Sequence, residues 1–316
     1  MEIVVLDAET LGFDTDISPL NAHGNVMVWD NTAPAQIPER IAKADVIVSN
    51  KVRLTADALR GAENLKLVCL SATGYDSVDT AYCAEHGIGV CNVPGYSTHS
   101  VAQLTVAMAL ELVGHLSAYR TYVHSGDYTR SGVANALTPV WHELYGKTWG
   151  IVGGGNIGRQ VAKIAEAFGC RVIVCRRKAD EVYKTVDLDT LCALADIISV
   201  HVPLTAQTRG MIGEKQIAMM KKDAIVVNVA RGAVTDEAAL AEAVKSGRLG
   251  GLGVDVYSTE PFGADHPFSK ILDLPNVCLT PHTAWGALET RNRCIAMVAE
   301  NISAYCQGER KNRVEQ

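Results

Sequence analysis

Short runs of β-branched and other apolar residues recur along the chain with helical segments between them. In the first hundred residues they fall at 3–6, 26–29, 45–49, 67–70 and 88–91. A second series follows at 150–153, 171–175, 196–202, 224–230, 251–257 and 277–280. Strands that alternate with helices predict parallel sheets joined by right-handed crossovers, here as two successive α/β units.

Two longer helices stand out. A capping-box pattern at Ser100-Val101-Ala102-Gln103 opens one that runs to about Tyr122 and is apolar on most faces, as expected of a helix buried between two bodies. A tail helix from Gly286 to about Cys306 carries Leu288, Cys294, Ile295, Val298 and Ile302 at helical spacing and stops at Gly308. No repeat, low-complexity stretch or Pro-rich linker interrupts the series, so the boundary between units falls at helices and not at a flexible tether.

Length and composition agree. A chain of 316 residues is about twice the usual domain size, and 48% hydrophobic with 20% charged residues supports packed cores. The net charge of −6 leaves no basic excess for a nucleic-acid backbone. The nine cysteines show no C-x-x-C pair and no zinc-site spacing, so they read as reduced, mostly buried thiols and no metal is expected. The chain opens directly on a strand without a signal-peptide pattern, and the apolar stretch 101–116 is too short and too polar to span a membrane, which together imply a cytoplasmic protein.

Chemistry first appears at Gly153-Gly154-Gly155-Asn156-Ile157-Gly158, a G-x-G-x-x-G between a strand and a helix. Gly153 permits the tight turn, Gly155 admits a pyrophosphate to the backbone, and Gly158 allows close helix–strand packing. Asn156 and Ile157 begin a helix whose N-terminus offers N–H donors and partial positive charge. At the end of the next strand, where an NAD site carries an acidic residue for the ribose 2′-hydroxyl, stand Arg176, Arg177 and Lys178. Guanidinium groups bind a 2′-phosphate that a carboxylate would repel, so NADP is expected ahead of NAD.

Ligands of open α/β sheets sit beyond the carboxyl ends of the strands. Arg231, Glu260 and His282 each follow a strand of the second series, and Thr73-Gly74 follow one of the first. The set fits reduction of a keto acid. Hydride delivery to a carbonyl carbon generates an alkoxide, which an imidazolium such as His282 can protonate. A carboxylate beside it, Glu260, favours the imidazolium and fixes its tautomer. A guanidinium, Arg231, binds the substrate carboxylate and polarises the carbonyl.

These segments carry a resemblance. Val93-Pro94-Gly95-Tyr96-Ser97, the glycine motif, Val229-Ala230-Arg231-Gly232, the stretch from Asp255 to Pro261 and Pro281-His282-Thr283-Ala284-Trp285 resemble the D-isomer-specific 2-hydroxyacid dehydrogenases over essentially the whole chain. Within that family the chain is most similar to glycerate dehydrogenases, or hydroxypyruvate reductases, through Ala72-Thr73-Gly74, Trp141-His142-Glu143-Leu144 and Trp285. The resemblance implies two Rossmann-like, doubly wound domains with the active site in the cleft between them. It implies a flavodoxin-like substrate domain from 1–100 plus 288–316 and a cofactor domain from 101–287. It also implies a homodimer through the cofactor domains. By position, Thr73 and Gly74 hold the substrate carboxylate through backbone N–H groups, with Trp285 beside the substrate. Asp255 holds the nicotinamide carboxamide, and Pro203, Thr208, Thr105 and the Ala230 backbone line the cofactor.

Other readings of the same residues are a D-lactate-type or branched-chain keto-acid reductase and, from another class, a nucleotide-sensing corepressor without catalysis. A phosphoglycerate dehydrogenase is disfavoured because no regulatory domain is appended near residue 316. A formate dehydrogenase is disfavoured by Glu260.

Overall fold

In a computed structural model, which describes residues 1–315, the chain divides into two compact units. One comprises residues 1–97 and the segment from Trp285 onward, the other Thr98–Ala284.

In the first unit β1 (Glu2–Val5), β2 (Asn25–Val28), β3 (Val46–Ser49), β4 (Leu67–Leu70) and β5 (Gly89–Cys91) form one parallel sheet in the order 2-1-3-4-5. Side chains of a strand alternate between faces, and here both faces are buried. Ile3, Val5, Val46, Val48 and Leu67 pack on one side against Cys294, Ile295, Val298 and Ile302 of the tail helix Leu288–Cys306. Val4, Leu6, Ile47, Val68 and Leu70 pack on the other against Ile37, Ile41, Leu54 and Leu59. The tail helix is therefore half of this unit's core, which explains why the chain returns to it.

The chain then extends the sheet edge. Val314 donates its N–H to Val90 O (2.9 Å), and Asn92 donates to Asn312 O (3.1 Å). The buried Glu315 carboxylate accepts from Val90 N at 2.8 Å and pairs with Arg313 at 2.5 Å.

The second unit holds β6 (Thr148–Val152), β7 (Arg171–Cys175), β8 (Lys184–Thr185), β9 (Ile197–Val200), β10 (Ile225–Asn228), β11 (Gly251–Val254) and β12 (Val277–Leu279). All are parallel, in the order 12-11-10-9-6-7-8. The order reverses between β6 and β9, the switch point where open α/β sheets accept ligands.

The single long helix expected from about residue 100 to 122 is two. Helix Thr98–Gly114 ends where His115 turns left-handed (φ 50°), and Leu116–His124 continues at 60° to it. The break follows from local chemistry: Gly114 precedes it, and Glu111 accepts the N–H of Ser117 at 2.9 Å, satisfying a donor at the start of the second helix. Among the described residues no single helix is long and apolar enough to cross a membrane. All nine cysteines are unpaired and six are buried.

Candidate active site

The glycine turn is built as the motif requires. Gly153 has φ 104°, and a Cβ there would lie 2.8 Å from the His201 backbone; a Cβ on Gly158 would lie 2.1 Å from Gly153 O. Both contacts exclude any side chain. Gly155 differs: a Cβ would meet nothing within 4 Å, so open space lies above it. It leads into helix Asn156–Ala167 with no side-chain cap on the first N–H groups. An open cradle at an uncapped helix start suits the pyrophosphate of a dinucleotide.

Across the switch point, β9 ends and His201 follows. Its N–H donates to Val152 O at 2.7 Å, but neither ring nitrogen has a partner among the described residues. Burial alone lowers its pKa to about 3, so the ring is neutral at pH 7. Beyond it Thr208 donates to Pro203 O at 2.6 Å and accepts from Thr205 N at 2.8 Å, tying the 203–208 loop into a compact turn. Thr105 is buried and bonds back to Val101 O at 2.7 Å within its helix.

The strand-end residues of β10, β11 and β12 are locked together. Buried Asn228 accepts Ala230 N–H and donates to Arg231 O, both at 3.0 Å, which shapes the turn carrying Arg231. The Arg231 guanidinium donates once, to Ala230 O at 2.8 Å, and its other N–H groups have no partner among the described residues. Gly232 lies directly beneath the next loop: a Cβ there would sit 2.1 Å from the Tyr257 carbonyl carbon and 2.2 Å from Ser258 N.

That loop delivers Glu260. Its Oε1 accepts Tyr257 N–H at 2.9 Å, and its Oε2 lies 2.7 Å from His282 Nδ1. An ionised carboxylate only accepts, so Nδ1 carries the proton in this pair and Nε2 is left for chemistry. The loop is held from below by Glu237, whose buried carboxylate accepts Ser258 N–H at 2.8 Å, the Ser258 hydroxyl, and His266 Nε2 at 3.0 Å. Phe268 N–H donates to His266 Nδ1, so that histidine carries its proton on Nε2.

His282 is fixed on its own side by Asp255. The resemblance assigns Asp255 to the nicotinamide carboxamide; in the structure its carboxylate accepts the Thr280 hydroxyl (2.5 Å), Thr283 N–H (2.8 Å) and Ala284 N–H (2.9 Å). Those donors bracket His282. Burial pushes the Asp255 carboxyl above its ordinary range against their opposing effect. Tyr257 joins the same bracket by donating to Thr280 O at 2.8 Å.

His282 and Glu260 are thus in direct contact, and Gly232, the neighbour of Arg231, packs against the backbone of the Glu260 loop. Thr73, Gly74 and Trp285 belong to the first unit. There the Thr73 hydroxyl donates to Val93 O at 3.0 Å, Asn92 holds Thr73 O at 2.7 Å, and Trp285 packs edge-on to Tyr96. Arg176, Arg177 and Lys178 follow β7 as expected, with Arg177 and Lys178 exposed and Arg176 paired to Asp180.

The "D-isomer specific 2-hydroxyacid dehydrogenase, NAD binding domain" family model matches residues 106–284. The chain belongs to the D-isomer specific 2-hydroxyacid dehydrogenases. It is 36% identical to a glycerate dehydrogenase of Methylorubrum extorquens over 99% of each chain. It is 35% identical to a hydroxypyruvate reductase of Blautia hydrogenotrophica over 98% of each. Among solved structures of this family's fold, the D-lactate dehydrogenase of Aquifex aeolicus, complexed with NAD and lactic acid, aligns with a TM-score of 0.84 at 29% identity, covering 100% of this chain and 99% of the other.

Sequence reasoning missed several residues that support this candidate site. The apolar runs at 196–202, 224–230 and 251–257 extend two or three residues past the strands themselves, which hid His201 and Asn228 as strand-end positions and left Asp255 to the resemblance alone. Glu237 stands one residue after an N-cap aspartate, Asp236, and reads as an ordinary helix-start acid.

Proposed function

We propose that the protein reduces a small 2-keto acid, with hydroxypyruvate or glyoxylate favoured, to the D-2-hydroxy acid, using NADPH in preference to NADH. The observation that carries this reading is the His282–Glu260 pair at 2.7 Å, held beside the Arg231 turn.

The chemistry that a nicotinamide cofactor would supply here when bound is a hydride for the carbonyl carbon. The glycine turn from Gly153 to Gly158 and the N–H groups of Asn156 and Ile157 would hold its pyrophosphate, with Pro203, Thr208 and Ala230 beside it. Arg231 binds the substrate carboxylate with the guanidinium N–H groups that Ala230 leaves unused, and draws charge from the keto oxygen. His282, protonated on both nitrogens, gives the Nε2 proton to the developing alkoxide. Glu260 keeps Nδ1–H in place and balances the imidazolium charge before transfer.

NADPH preference is supported by Arg176 and Arg177 after β7, at the position where an NAD site carries its acidic residue. A homodimer through the second unit is supported by Leu116, Val123, Leu137, Val140, Trp141 and Tyr145, all large apolar side chains exposed along 116–145. The reaction is tested by steady-state turnover of a panel of 2-keto acids with both reduced cofactors. Absence of turnover on every acid, with cofactor binding intact, would reject it in favour of a sensor.

A further inference from the structure

A second charged cluster follows the carboxyl end of β7. The Asp180 side chain is 0% exposed and both of its oxygens are occupied. Oδ1 accepts the N–H groups of Val182 (3.0 Å) and Tyr183 (3.3 Å). Oδ2 accepts Arg176 Nη1 at 2.5 Å and Arg159 Nη2 at 2.9 Å. The Asp180 N–H donates to Thr185 Oγ1 at 2.8 Å. The Val182 bond first, and the Arg176 guanidinium with it, hold the carboxyl at about 2, so it is ionised throughout the physiological range.

The two arginines reach this carboxylate from two different elements. Arg159 stands in the first turn of helix Asn156–Ala167, and Arg176 follows β7. The Arg176 stem lies along the turn itself, its Cδ 3.0 Å from where a Cβ of Gly154 would be. Their side chains are 41% and 28% exposed, and neither makes another hydrogen bond among the described residues. Two guanidiniums on one carboxylate leave a net positive charge and most of their N–H groups unused. A free arginine would lose rotamer freedom on gripping an anion; these two have lost it already.

We infer that Asp180 is a positioning residue for cofactor selection, holding Arg159 and Arg176 as a fixed pair of guanidiniums that receives the adenosine 2′-phosphate of NADPH. The inference rests on the NADPH reading and adds Arg159 and Asp180 to it. A purely structural Asp180, serving only the 180–185 turn, would matter equally for either cofactor.

Calorimetric Kd values for NADPH and NADH on the wild type and on Arg176→Gln, Arg159→Gln and Asp180→Asn separate these cases. Asp180→Asn keeps an oxygen for Val182 and Tyr183 while removing the charge that holds the arginines. It is expected to weaken NADPH about tenfold more than NADH, and Arg159→Gln to do so about three- to tenfold. Should Asp180→Asn not fold by circular dichroism, Arg159→Gln decides, since it leaves Asp180 and Arg176 together. A wild type that prefers NADPH, loses that preference in Arg176→Gln and keeps it in Asp180→Asn and Arg159→Gln overturns this inference alone. A wild type indifferent to the 2′-phosphate overturns the NADPH reading and this inference with it.

Discussion

His282 Nδ1 lies 2.7 Å from Glu260 Oε2, and the other oxygen of that carboxylate is pinned by the backbone N–H of Tyr257 at 2.9 Å. The carboxylate therefore cannot swing away from the imidazole without breaking its own loop. Glu260→Gln keeps the shape but replaces the carboxylate that accepts the Nδ1 proton with an amide that can also present N–H to it. The kcat for keto-acid reduction should fall by about tenfold or more, because the imidazole is no longer held with its Nδ1–H toward this side chain. An unchanged kcat would dismiss the coupling.

His282→Gln removes the proton donor and leaves the brackets made by Asp255 intact. Its kcat should fall by about 10²–10⁴, with cofactor Kd little changed. Near-normal turnover would eliminate His282 as the acid.

Arg231→Lys keeps the positive charge but loses the planar fork. A point ammonium cannot grip a carboxylate through two parallel bonds, so kcat/KM should drop by about tenfold or more. Wild-type kinetics in that variant would remove the carboxylate clamp from the mechanism.

Gly232→Ala tests how the Arg231 turn and the Glu260 loop are held in register. The added methyl carbon would lie 2.1 Å from the Tyr257 carbonyl carbon, so one loop must move. The expected result is a loss of about 1–3 kcal/mol of stability together with a lowered kcat. Unchanged values for both would show that the two loops are independent.

The neutral, buried His201 ring predicts a pH effect on stability. Its folded pKa of about 3 lies below the ordinary 6.5. The unfolded chain therefore binds a proton between pH 6.5 and 3 that the folded chain refuses. The sign is a loss of stability on acidification, beginning near pH 6.5 and complete near pH 3. Between pH 7 and pH 5 the wild type should lose about 2 kcal/mol more than His201→Leu in urea titrations. Parallel losses would mean that the ring is protonated in the folded chain.

Most of the architecture was legible because a doubly wound fold writes itself as apolar runs at intervals, and because a G-x-G-x-x-G between strand and helix has one structural meaning. His282, Glu260 and Arg231 were legible as polar residues placed after strands. What stayed hidden was the supporting layer. Asp180 gathers two arginines in a turn with no periodicity, and Glu237 reaches Ser258 across 21 residues, so neither leaves a mark at any fixed spacing. The break at His115 was hidden because Gly114 is its one local mark inside a long apolar run, and the carboxylate that satisfies the second helix lies in the first.

His282 carries a side chain at φ 52°, a conformation that favours glycine. The protein accepts backbone strain of about 1–2 kcal/mol at its proton donor. A glycine at 282 would relax the chain and silence it at once, leaving a hole shaped for an imidazole. The residue the reaction depends on is thus one that selection for stability alone would discard.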